Sequence, residues 1–313
     1  MDSISTSLDK PFPGMVATSV FRGDVMDSLQ YFAPTSLEEA TQLLGEHRGS
    51  QVLAGGTDLI VQMQIGTASP ASIVDIKKIP EVNTLALSAS GLKLGAAVAG
   101  ASITEKPEIA AVYPGLVEAI DLIGSTQIQG RCSVGGNLCN ASPAADTVPS
   151  LIVTNAVCEI QGSSGTREVA AEEFNLSPGK NCLSDGEFLT SIRVPKPVSG
   201  TADAYLRFIP RTEMDIAVVG AAVSVTMGND GICTAARVAI GAVAPTALLV
   251  PAAADALIGT DLNEQALHKA GDAASEAASP ISDKRGTAEY RTKVVGVLTR
   301  RAAAIAKKRA LQN

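Results

Sequence analysis

Two glycine pairs carry the residues whose types and spacing could do chemistry in this chain of 313 residues. Gly55-Gly56 stands in VLAGGTDLI after a short apolar run, and Gly135-Gly136 stands in SVGGNLCNASPAAD. A strand that ends in Gly-Gly can turn sharply, because glycine reaches positive φ without a Cβ clash, and it leaves successive backbone N–H groups open to an anion. Each pair is followed by an acidic residue and an apolar run, which predicts a helix N-terminus beside it. The pattern therefore predicts two loops that hold one diphosphate from two sides.

Polar side chains stand beside both glycine pairs. Thr57 and Ser133 would supply hydroxyls, and Asn137 an amide, for phosphate oxygens or a ribitol chain. Asp58 and Asp146 cannot hold phosphate in this way, because carboxylates repel it, and either could instead cap the helix that follows it. Neither pair has the spacing of a P-loop or of the dinucleotide fingerprint, which argues against the usual NTPase and Rossmann folds. One such pair alone would more often be a plain turn, so the prediction depends on there being two.

The composition is that of an acidic globular protein. Hydrophobic residues make up 46% of the chain and charged residues 18%, with a formal net charge of −7, which argues against nucleic acid or an anionic membrane as a partner. No run approaches the ~18 apolar residues of a membrane span, and the first residues lack the apolar core of a signal peptide. We therefore expect a cytoplasmic protein, with residues 1–26 as an N-terminal extension.

The cysteines and histidines limit the other chemistries. The five cysteines form no CxxC pair and are odd in number, which indicates neither a zinc site, nor a disulfide framework, nor an iron-sulfur cluster on this chain. Cys132 and Cys139 flank the second glycine pair and are interpreted as small packing residues. His47 and His268 fall in predicted helices away from any nucleophile motif, which argues against a histidine-dependent hydrolase. We predict no catalytic residue and no metal ligand here.

The elements that must position the glycine pairs follow from hydrophobic periodicity. Strands are predicted at residues 29–32, 51–54 and 71–76, with a helix after the capping box of Ser36 and Glu39 and another after Asp58, which makes a βαβ-like unit. Hairpins are predicted at 85–98 and 157–169, and a further strand at 188–194. The run 128–134 is expected to deliver the second glycine pair.

The C-terminal third is predicted to form a separate α+β unit. Two alternating apolar runs surround Asn229-Asp230-Gly231, which is a strong hairpin signal. Helices are predicted at residues 251–258, 263–278 and 287–311. The basic residues near the end of the last helix suit a helix C-terminus and need no nucleic-acid partner.

The sequence resembles the FAD-binding medium subunits of the molybdenum hydroxylases, such as aerobic carbon monoxide dehydrogenase, and the flavin domain of xanthine dehydrogenase. The resemblance covers about Asp27 to the C-terminus and rests on LAGGTDLI, SVGGN followed by ASPAAD, EFLTSIRVP, PRTEMDIAVVG and DKRGTAEYR. It implies an α+β fold with an FAD-binding domain of the PCMH (vanillyl-alcohol oxidase-like) type at residues 27–204, in subdomains of about 27–80 and 81–204. A C-terminal CO dehydrogenase flavoprotein-like domain at residues 205–313 would pack a small antiparallel sheet on helices.

The resemblance also implies which residues bind the cofactor, a noncovalent FAD whose diphosphate both glycine loops would grip. Asp146 would accept hydrogen bonds from ribose or ribityl hydroxyls, while Ile123 and Leu189 would pack on the cofactor. A flavin-contacting lysine of xanthine dehydrogenase aligns with Arg207 or Ile209, depending on where a short gap is placed. The predicted cofactor-binding residues are Leu53, Ala54, Gly55, Gly56, Thr57, Asp58, Leu59, Ile60, Ile123, Ser133, Val134, Gly135, Gly136, Asn137, Asp146, Leu189 and Arg207.

An electron relay follows from the same resemblance. The implied partners are a molybdopterin-binding large subunit and a small subunit with two 2Fe-2S clusters, in a dimer of heterotrimers. The FAD of this chain would pass electrons to NAD or another acceptor. Two alternatives stay open: a nucleotide- or diphosphate-binding module without redox function, and a peptidoglycan-precursor reductase or oxidase, which the lack of a long substrate domain disfavours. No residue identifies the organic or gaseous substrate.

Overall fold

A small parallel sheet begins the described part of the chain, which in this computed structural model is residues 29–313. Strands β1 (Gln30–Phe32), β2 (Ser50–Leu53) and β3 (Ser72–Asp75) lie in the order β1-β3-β2, with parallel pairing. Helices α1 (Leu37–Glu46) and α2 (Leu59–Gln64) connect them. The predicted βαβ-like unit is therefore confirmed. The predicted extension at residues 1–26 lies outside the described residues.

The predicted capping box at the start of α1 forms with a small shift. The Oγ of Ser36 accepts a hydrogen bond from the N–H of Glu39 at 3.1 Å. The Glu39 carboxylate in turn accepts from the N–H of Thr35 at 2.7 Å, one residue before the cap. Two backbone donors that the helix itself cannot satisfy are thus paired, which stabilises the start of α1.

A five-stranded antiparallel sheet forms the second unit. Its strands are β4 (Leu85–Ser88), β5 (Gly91–Gly95), β6 (Val157–Gly162), β7 (Gly165–Ala170) and β10 (Phe188–Pro195), in the order β4-β5-β10-β6-β7. Strands β8 (Asn175–Ser177) and β9 (Lys180–Asn181) pair separately as a short hairpin, and 3-10 turns occur at Ile76–Lys78 and Glu81–Asn83. Both predicted hairpins are confirmed, because β4 pairs with β5 and β6 with β7.

Helices accompany this sheet and share one apolar core with it. They are α3 (Gly100–Thr104), α4 (Pro107–Val112), α5 (Pro114–Asp121), α6 (Thr126–Gln129), α7 (Val134–Cys139), α8 (Thr147–Val153) and α9 (Ala171–Phe174). Leu116, Ile120 and Leu138 from the helices are fully buried with Leu94 and Ile160 from the sheet. This core fixes the start of α7, where the second glycine pair lies.

The run 128–134 differs from its prediction. It forms no extended strand, since residues 126–129 are helical and Ser133 makes only an isolated antiparallel bridge to Ala99. Gly135 and Gly136 lie inside α7, and neither has a positive φ. The prediction of a strand ending in a glycine turn was wrong at this pair, because the Ser133 cap turns the chain into a helix before the glycines are reached.

A four-stranded antiparallel sheet and three helices make the C-terminal unit. The strands are β11 (Thr201–Phe208), β12 (Val219–Met227), β13 (Cys233–Gly241) and β14 (Leu248–Leu249), and the helices are α10 (Pro251–Asp255), α11 (Glu264–Ala277) and α12 (Ala288–Ala310). The predicted hairpin is confirmed by the pairing of β12 with β13, and Gly231 in its turn has φ +79°. The boundary proposed between residues 204 and 205 lies inside β11.

The C-terminal unit packs against the helices of the second unit. Arg309 of α12 pairs with Glu118 of α5 and donates to the carbonyl oxygen of Asp203 at 2.9 Å. Arg237 of β13 donates to the carbonyl oxygen of Ile152 in α8 at 3.1 Å. Within residues 29–313, no helix combines the length and apolar character that a membrane crossing needs.

Candidate cofactor site

Both glycine pairs line one cavity of about 470 Å³. This volume falls in the range of small-molecule and cofactor sites, ~300 to 1,000 Å³. The cavity is bounded by the end of β2, the starts of α2 and α7, and the start of β10. The structure therefore brings together two motifs about 80 residues apart, as the sequence predicts. The predicted residues that line it are Leu53, Ala54, Gly55, Gly56, Thr57, Asp58, Leu59, Ile123, Ser133, Gly135, Gly136, Asn137 and Leu189.

The first glycine pair turns the chain from β2 into α2. Gly56 has φ +78°, the left-handed conformation that glycine adopts without strain. A Cβ at Gly55 would lie 1.8 Å from the carbonyl oxygen of Arg131, so only glycine lets the two loop segments approach this closely. Asp58 occupies the cap position of α2, but its side chain makes no capping hydrogen bond.

Asp58 has an unusual environment for a carboxylate. Asp58 lines the cavity and remains open to solvent there. The cavity walls still remove part of its hydration, and this desolvation raises the pKa of its carboxyl above the ordinary value. The same carboxylate contributes to the raised pKa of the nearby Cys132 thiol, after burial. An acceptor in this position suits a hydroxyl group, and it disfavours a phosphate placed against it.

The second glycine pair forms the first turn of α7. Ser133 caps this helix, and its Oγ accepts a hydrogen bond from the N–H of Gly136 at 3.0 Å. A Cβ at Gly135 would lie 2.6 Å from the carbonyl oxygen of Ala96, so that residue must be glycine for the helix to pack where it does. A Cβ at Gly136 would approach only the Oγ of Ser133, at 3.1 Å. The space beside Gly136 thus belongs to the cavity.

The donor set of the cavity fits a diphosphate. The starts of α2 and α7 face the cavity, and backbone N–H groups in the first turn of a helix have no acceptor within that helix. The N–H of Gly136 is the exception, because it already donates to the Ser133 Oγ. Thr57 and Asn137 add a hydroxyl and an amide. The lining residues within the described chain include no lysine or arginine. The negative charge of a diphosphate would therefore be met by backbone dipoles and neutral donors.

Four predicted residues lie outside the cavity walls. Ile60 is exposed on α2 at 47%, and Val134 is buried in the core beneath α7. The side chains of Asp146 and Arg207 are both buried, and they form an ion pair with a distance of 2.8 Å between Arg207 Nη1 and Asp146 Oδ2. Asp146 precedes α8 without capping it, so that alternative role is not observed. Direct contacts of these four residues with a bound cofactor stay predictions.

The Asp146 carboxylate is held from the C-terminal unit. Its Oδ1 accepts a hydrogen bond from the Tyr205 hydroxyl at 2.9 Å, and its Oδ2 accepts from Arg207. Burial raises the pKa of Asp146 to about 6, although the Arg207 charge and the Tyr205 hydroxyl oppose the shift. Asp146 is thus ionised and paired at neutral pH.

Other parts of the cavity wall had no signal in the sequence. The β8–β9 hairpin supplies Gly179 and Asn181, and Asn181 donates to the carbonyl oxygen of Cys139 at 2.8 Å. Asn140 and Gln62 also line the wall and bond to each other at 2.9 Å. The remaining unpredicted lining residues are Ser50, Gln51, Val52, Ile76, Ala96, Cys132, Cys139, Leu183 and Phe188. Long-range packing brings these residues to the cavity wall. Only those that adjoin a glycine motif in the sequence could have been inferred from that motif.

The two flanking cysteines are wall residues as well as packing residues. Burial raises the pKa of the Cys132 thiol to about 11 and that of Cys139 to about 12. Both sulfurs are therefore protonated at neutral pH and are poor nucleophiles. No group of histidine, cysteine or acidic residues within residues 29–313 is arranged to hold a metal ion.

Comparisons with known proteins match most of the described residues. The family model described as FAD binding domain in molybdopterin dehydrogenase matches residues 27–197. The model of the CO dehydrogenase flavoprotein C-terminal domain matches residues 204–306. Among curated proteins, the chain is 35% identical to the carbon monoxide dehydrogenase medium chain of Afipia carboxidovorans, over 90% of this chain and 98% of that protein.

Two further relatives extend the comparison. The chain is 28% identical to a putative xanthine dehydrogenase FAD-binding subunit of Escherichia coli (strain K12), over 88% of this chain and 95% of that protein. Among solved structures, a chain of the reconstituted CO dehydrogenase from Oligotropha carboxidovorans superimposes with a TM-score of 0.86 at 35% identity, covering 90% of this chain and 98% of that one. The match spans the elements that form the cavity.

Proposed function

Because the chain belongs to the family of FAD-binding subunits of the molybdenum hydroxylases, we propose that it carries FAD as the electron-transfer subunit of a heterotrimeric enzyme. The observation that carries the proposal is the convergence of both glycine pairs on one cavity. FAD supplies the redox chemistry when bound, and the protein supplies position and electrostatics. No catalytic residue is assigned to this chain.

The cavity residues have separable tasks. The N–H groups at the starts of α2 and α7 would bind the diphosphate, with Thr57 and Asn137 as further donors. Asp58 would accept hydrogen bonds from cofactor hydroxyls. Ile123 and Leu189 line the cavity with apolar surface and would exclude water from the ring system. A noncovalent complex is supported by the protonated Cys132 and Cys139 thiols and by the lack of histidine among the described lining residues.

A titration of the purified full chain with FAD, FMN and ADP tests the cofactor assignment. We expect FAD to bind most tightly, because it alone combines a diphosphate with a ring system that the apolar wall can cover. Equal affinity for ADP and FAD would favour the alternative, a nucleotide- or diphosphate-binding module without redox function. No binding of any of the three would remove both assignments.

The proposed relay needs other subunits. The curated relatives are described as medium chains or FAD-binding subunits, which supports a multi-subunit assembly. A molybdopterin-binding large subunit and a small subunit with two 2Fe-2S clusters would deliver electrons to the FAD of this chain, which would pass them to NAD or another acceptor. A dimer of heterotrimers and a cytoplasmic location belong to the same proposal.

Co-purification from native cells tests the assembly. We expect two further polypeptides to elute with this chain, and we expect no hydroxylase activity from the chain alone. A permanent complex of this kind would bury more than ~2,000 Å² of surface in total. A monodisperse lone chain that oxidises an aldehyde, an N-heterocycle or carbon monoxide would contradict the proposal.

A further inference from the structure

The carboxyl ends of β2 and β3 lie side by side next to the first glycine pair. Leu53 and Asp75, the last residues of these two parallel strands, are partners in the register. The chain continues from β2 through Ala54 into Gly55, and from β3 into the 3-10 turn that contains Lys77. Asp75 and Lys77 therefore stand beside the loop that leads into the cavity.

The Lys77 side chain bonds to the backbone of this loop. Its Nζ donates to the carbonyl oxygen of Ala54 at 2.8 Å and lies 2.8 Å from the Asp75 Oδ1. The backbone N–H of Lys77 donates to the same Asp75 oxygen at 3.0 Å. Because backbone and side chain of the lysine are both tied to one carboxylate oxygen, the ammonium group is held against the Ala54 carbonyl.

Asp75 is a buried carboxylate with a partner on each oxygen. Its side chain is only 10% exposed, and its Oδ2 accepts a hydrogen bond from the Tyr31 hydroxyl at 2.5 Å. Burial by itself would raise the pKa of Asp75, but the hydrogen bonds from Lys77 and Tyr31 bring that pKa below its ordinary value. The carboxylate is therefore ionised at neutral pH, and it gives Lys77 a fixed partner.

The peptide between Ala54 and Gly55 separates two cavities. Both residues line the cavity assigned to FAD, whereas Lys77 lines a second cavity of about 310 Å³. This peptide is trans, so its C=O and its N–H point in opposite directions. A carbonyl held by Lys77 on one side therefore directs the Gly55 N–H to the other, toward the FAD cavity. Among residues 29–313 that N–H has no hydrogen-bond acceptor, which leaves it open to a ligand.

We propose that Lys77 and Asp75 are positioning residues, which hold the Ala54–Gly55 peptide so that the Gly55 N–H donates to the FAD diphosphate. Neither side chain lines that cavity, so both act through the peptide and not by contact with the cofactor. A cation bonded to the C=O of a peptide also polarises its N–H and makes it a stronger donor. This inference rests on the proposed binding of FAD in that cavity.

A ligand series with one variant of the full chain tests this route. Lys77→Met keeps the length of the side chain and removes its donor, and it should weaken the binding of FAD and of ADP about tenfold each, the size of one lost charge-assisted hydrogen bond. Riboflavin has the ring system without a phosphate, so its affinity should not change. Wild-type FAD affinity in folded Lys77→Met would overturn the proposal. Equal losses for all three ligands would also overturn it, because they would indicate a general distortion of the cavity.

Rescue and coupling give a second readout, which a purely structural role would not move. In Lys77→Arg the guanidinium can still donate to the Ala54 carbonyl and pair with Asp75, so FAD affinity should return to within about twofold of wild type. Asp75→Asn frees the lysine and should weaken FAD binding less than Lys77→Met does. Because both changes break one path, the double variant should bind FAD about as weakly as Lys77→Met alone. Multiplied effects, or no recovery in Lys77→Arg, would contradict the proposal.

Two controls separate the possible failures. Lys78→Met removes the same charge from the next residue, which is exposed, and should leave FAD affinity unchanged. An equal loss in Lys78→Met would reduce the effect to overall charge and overturn the proposal. If Lys77→Met does not fold, Asp75→Asn decides, because it should weaken FAD and ADP binding and spare riboflavin. A wild-type chain that binds no FAD would end both this proposal and the proposed function, whereas wild-type binding that Lys77→Met leaves unchanged would end this one alone.

Discussion

Gly135 and Gly136 are adjacent, yet an added side chain would meet different surroundings at each. A Cβ at Gly135 would lie 2.6 Å from the carbonyl oxygen and 2.8 Å from the Cα of Ala96, which are backbone atoms that cannot move aside cheaply. At Gly136 the nearest atom is the Ser133 Oγ, at 3.1 Å. Neither glycine has a left-handed backbone, so conformational strain plays no part at this pair. Gly135 serves packing, whereas Gly136 keeps the cavity open.

The first prediction follows from this contrast. Gly136→Val should abolish FAD binding and leave the fold intact, because the new side chain fills the cavity and valine is a better helix former than glycine. Gly135→Ala should instead lower the free energy of unfolding by about 1 to 3 kcal/mol, the usual range for overpacking. FAD titration and chemical denaturation of both variants measure this. Normal FAD affinity in Gly136→Val would place the diphosphate elsewhere.

A second residue-scale prediction concerns Cys139. Burial raises the pKa of its thiol to about 12, so almost none is ionised at pH 8. Iodoacetamide should therefore leave Cys139 unmodified in the native chain, as mass spectrometry of tryptic peptides would show. Cys139→Ala should retain FAD, because the sulfur only covers part of the wall. Loss of flavin from a folded Cys139→Ala chain would show that the thiol contacts the cofactor.

Helix α2, at the edge of the cavity, buries none of its residues in the protein core. It has six residues, none of them buried, and Ile60, Val61 and Ile65 are 47%, 49% and 68% exposed. Isolated helices of this length are marginal in water, because nucleation is unfavourable. The first glycine pair leads directly into this helix. A ligand bound at the start of α2 would therefore supply stabilisation that the protein core does not.

Hydrogen exchange tests this dependence on the ligand. We expect the amides of residues 59–65 to exchange quickly without FAD and to gain protection when FAD is bound. Amides of β12, which is buried in the C-terminal sheet, serve as the reference and should not change. Equal protection of residues 59–65 in both states would show that FAD does not stabilise this helix.

Helix α12 is anchored by a buried arginine. Arg291 is 4% exposed, and its Nη1 donates to the carbonyl oxygens of Val218 and Ala242 while its Nη2 pairs with Asp283 at 2.7 Å. The DKRGTAEYR motif thus connects α12 to the C-terminal sheet. None of its residues lines the described cavity.

Removal of this arginine should destabilise the C-terminal unit. Arg291→Met leaves two buried carbonyls without this donor and removes one of the two arginines that pair with Asp283, and we expect the free energy of unfolding to fall by about 3 kcal/mol. Thermal unfolding measures the change. Lys293→Met is the matched control, since Lys293 and Glu289 form an exposed pair on the same helix and should contribute almost nothing. Equal effects of both changes would contradict the assigned anchor.

At the scale of the whole molecule, local signals predicted most of the fold. The turn at Asn229-Asp230-Gly231, the cap of α1, and the hairpins at 85–98 and 157–169 depend on residues close in sequence, and each of them formed. Helix α2 also formed, although Asp58 does not cap it through its side chain. The convergence of the glycine pairs was also predicted, although the reason for one pair was wrong, since Ser133 starts a helix before Gly135.

Long-range packing decided what the sequence could not show. Strand β10 inserts between β5 and β6, and no residue of β10 encodes that order locally. Strand β11 was not predicted, and the contacts of Tyr205 and Arg207 with Asp146, which depend on its position beside α8, were missed with it. The pairing of β8 with β9, which completes the cavity wall, was also missed. Pro178-Gly179 between them is a turn signal, but strands of three and two residues are too short to show an alternating pattern.

The flavin content of the chain purified under native conditions tests the central claim most directly. The account predicts about one FAD per chain, all of it released into the supernatant by acid precipitation, and a colourless Gly136→Val chain that remains folded. Flavin that stays with the precipitated protein would contradict noncovalent binding. A folded wild-type chain that contains no flavin and takes up none from added FAD would contradict the assignment of this cavity to FAD.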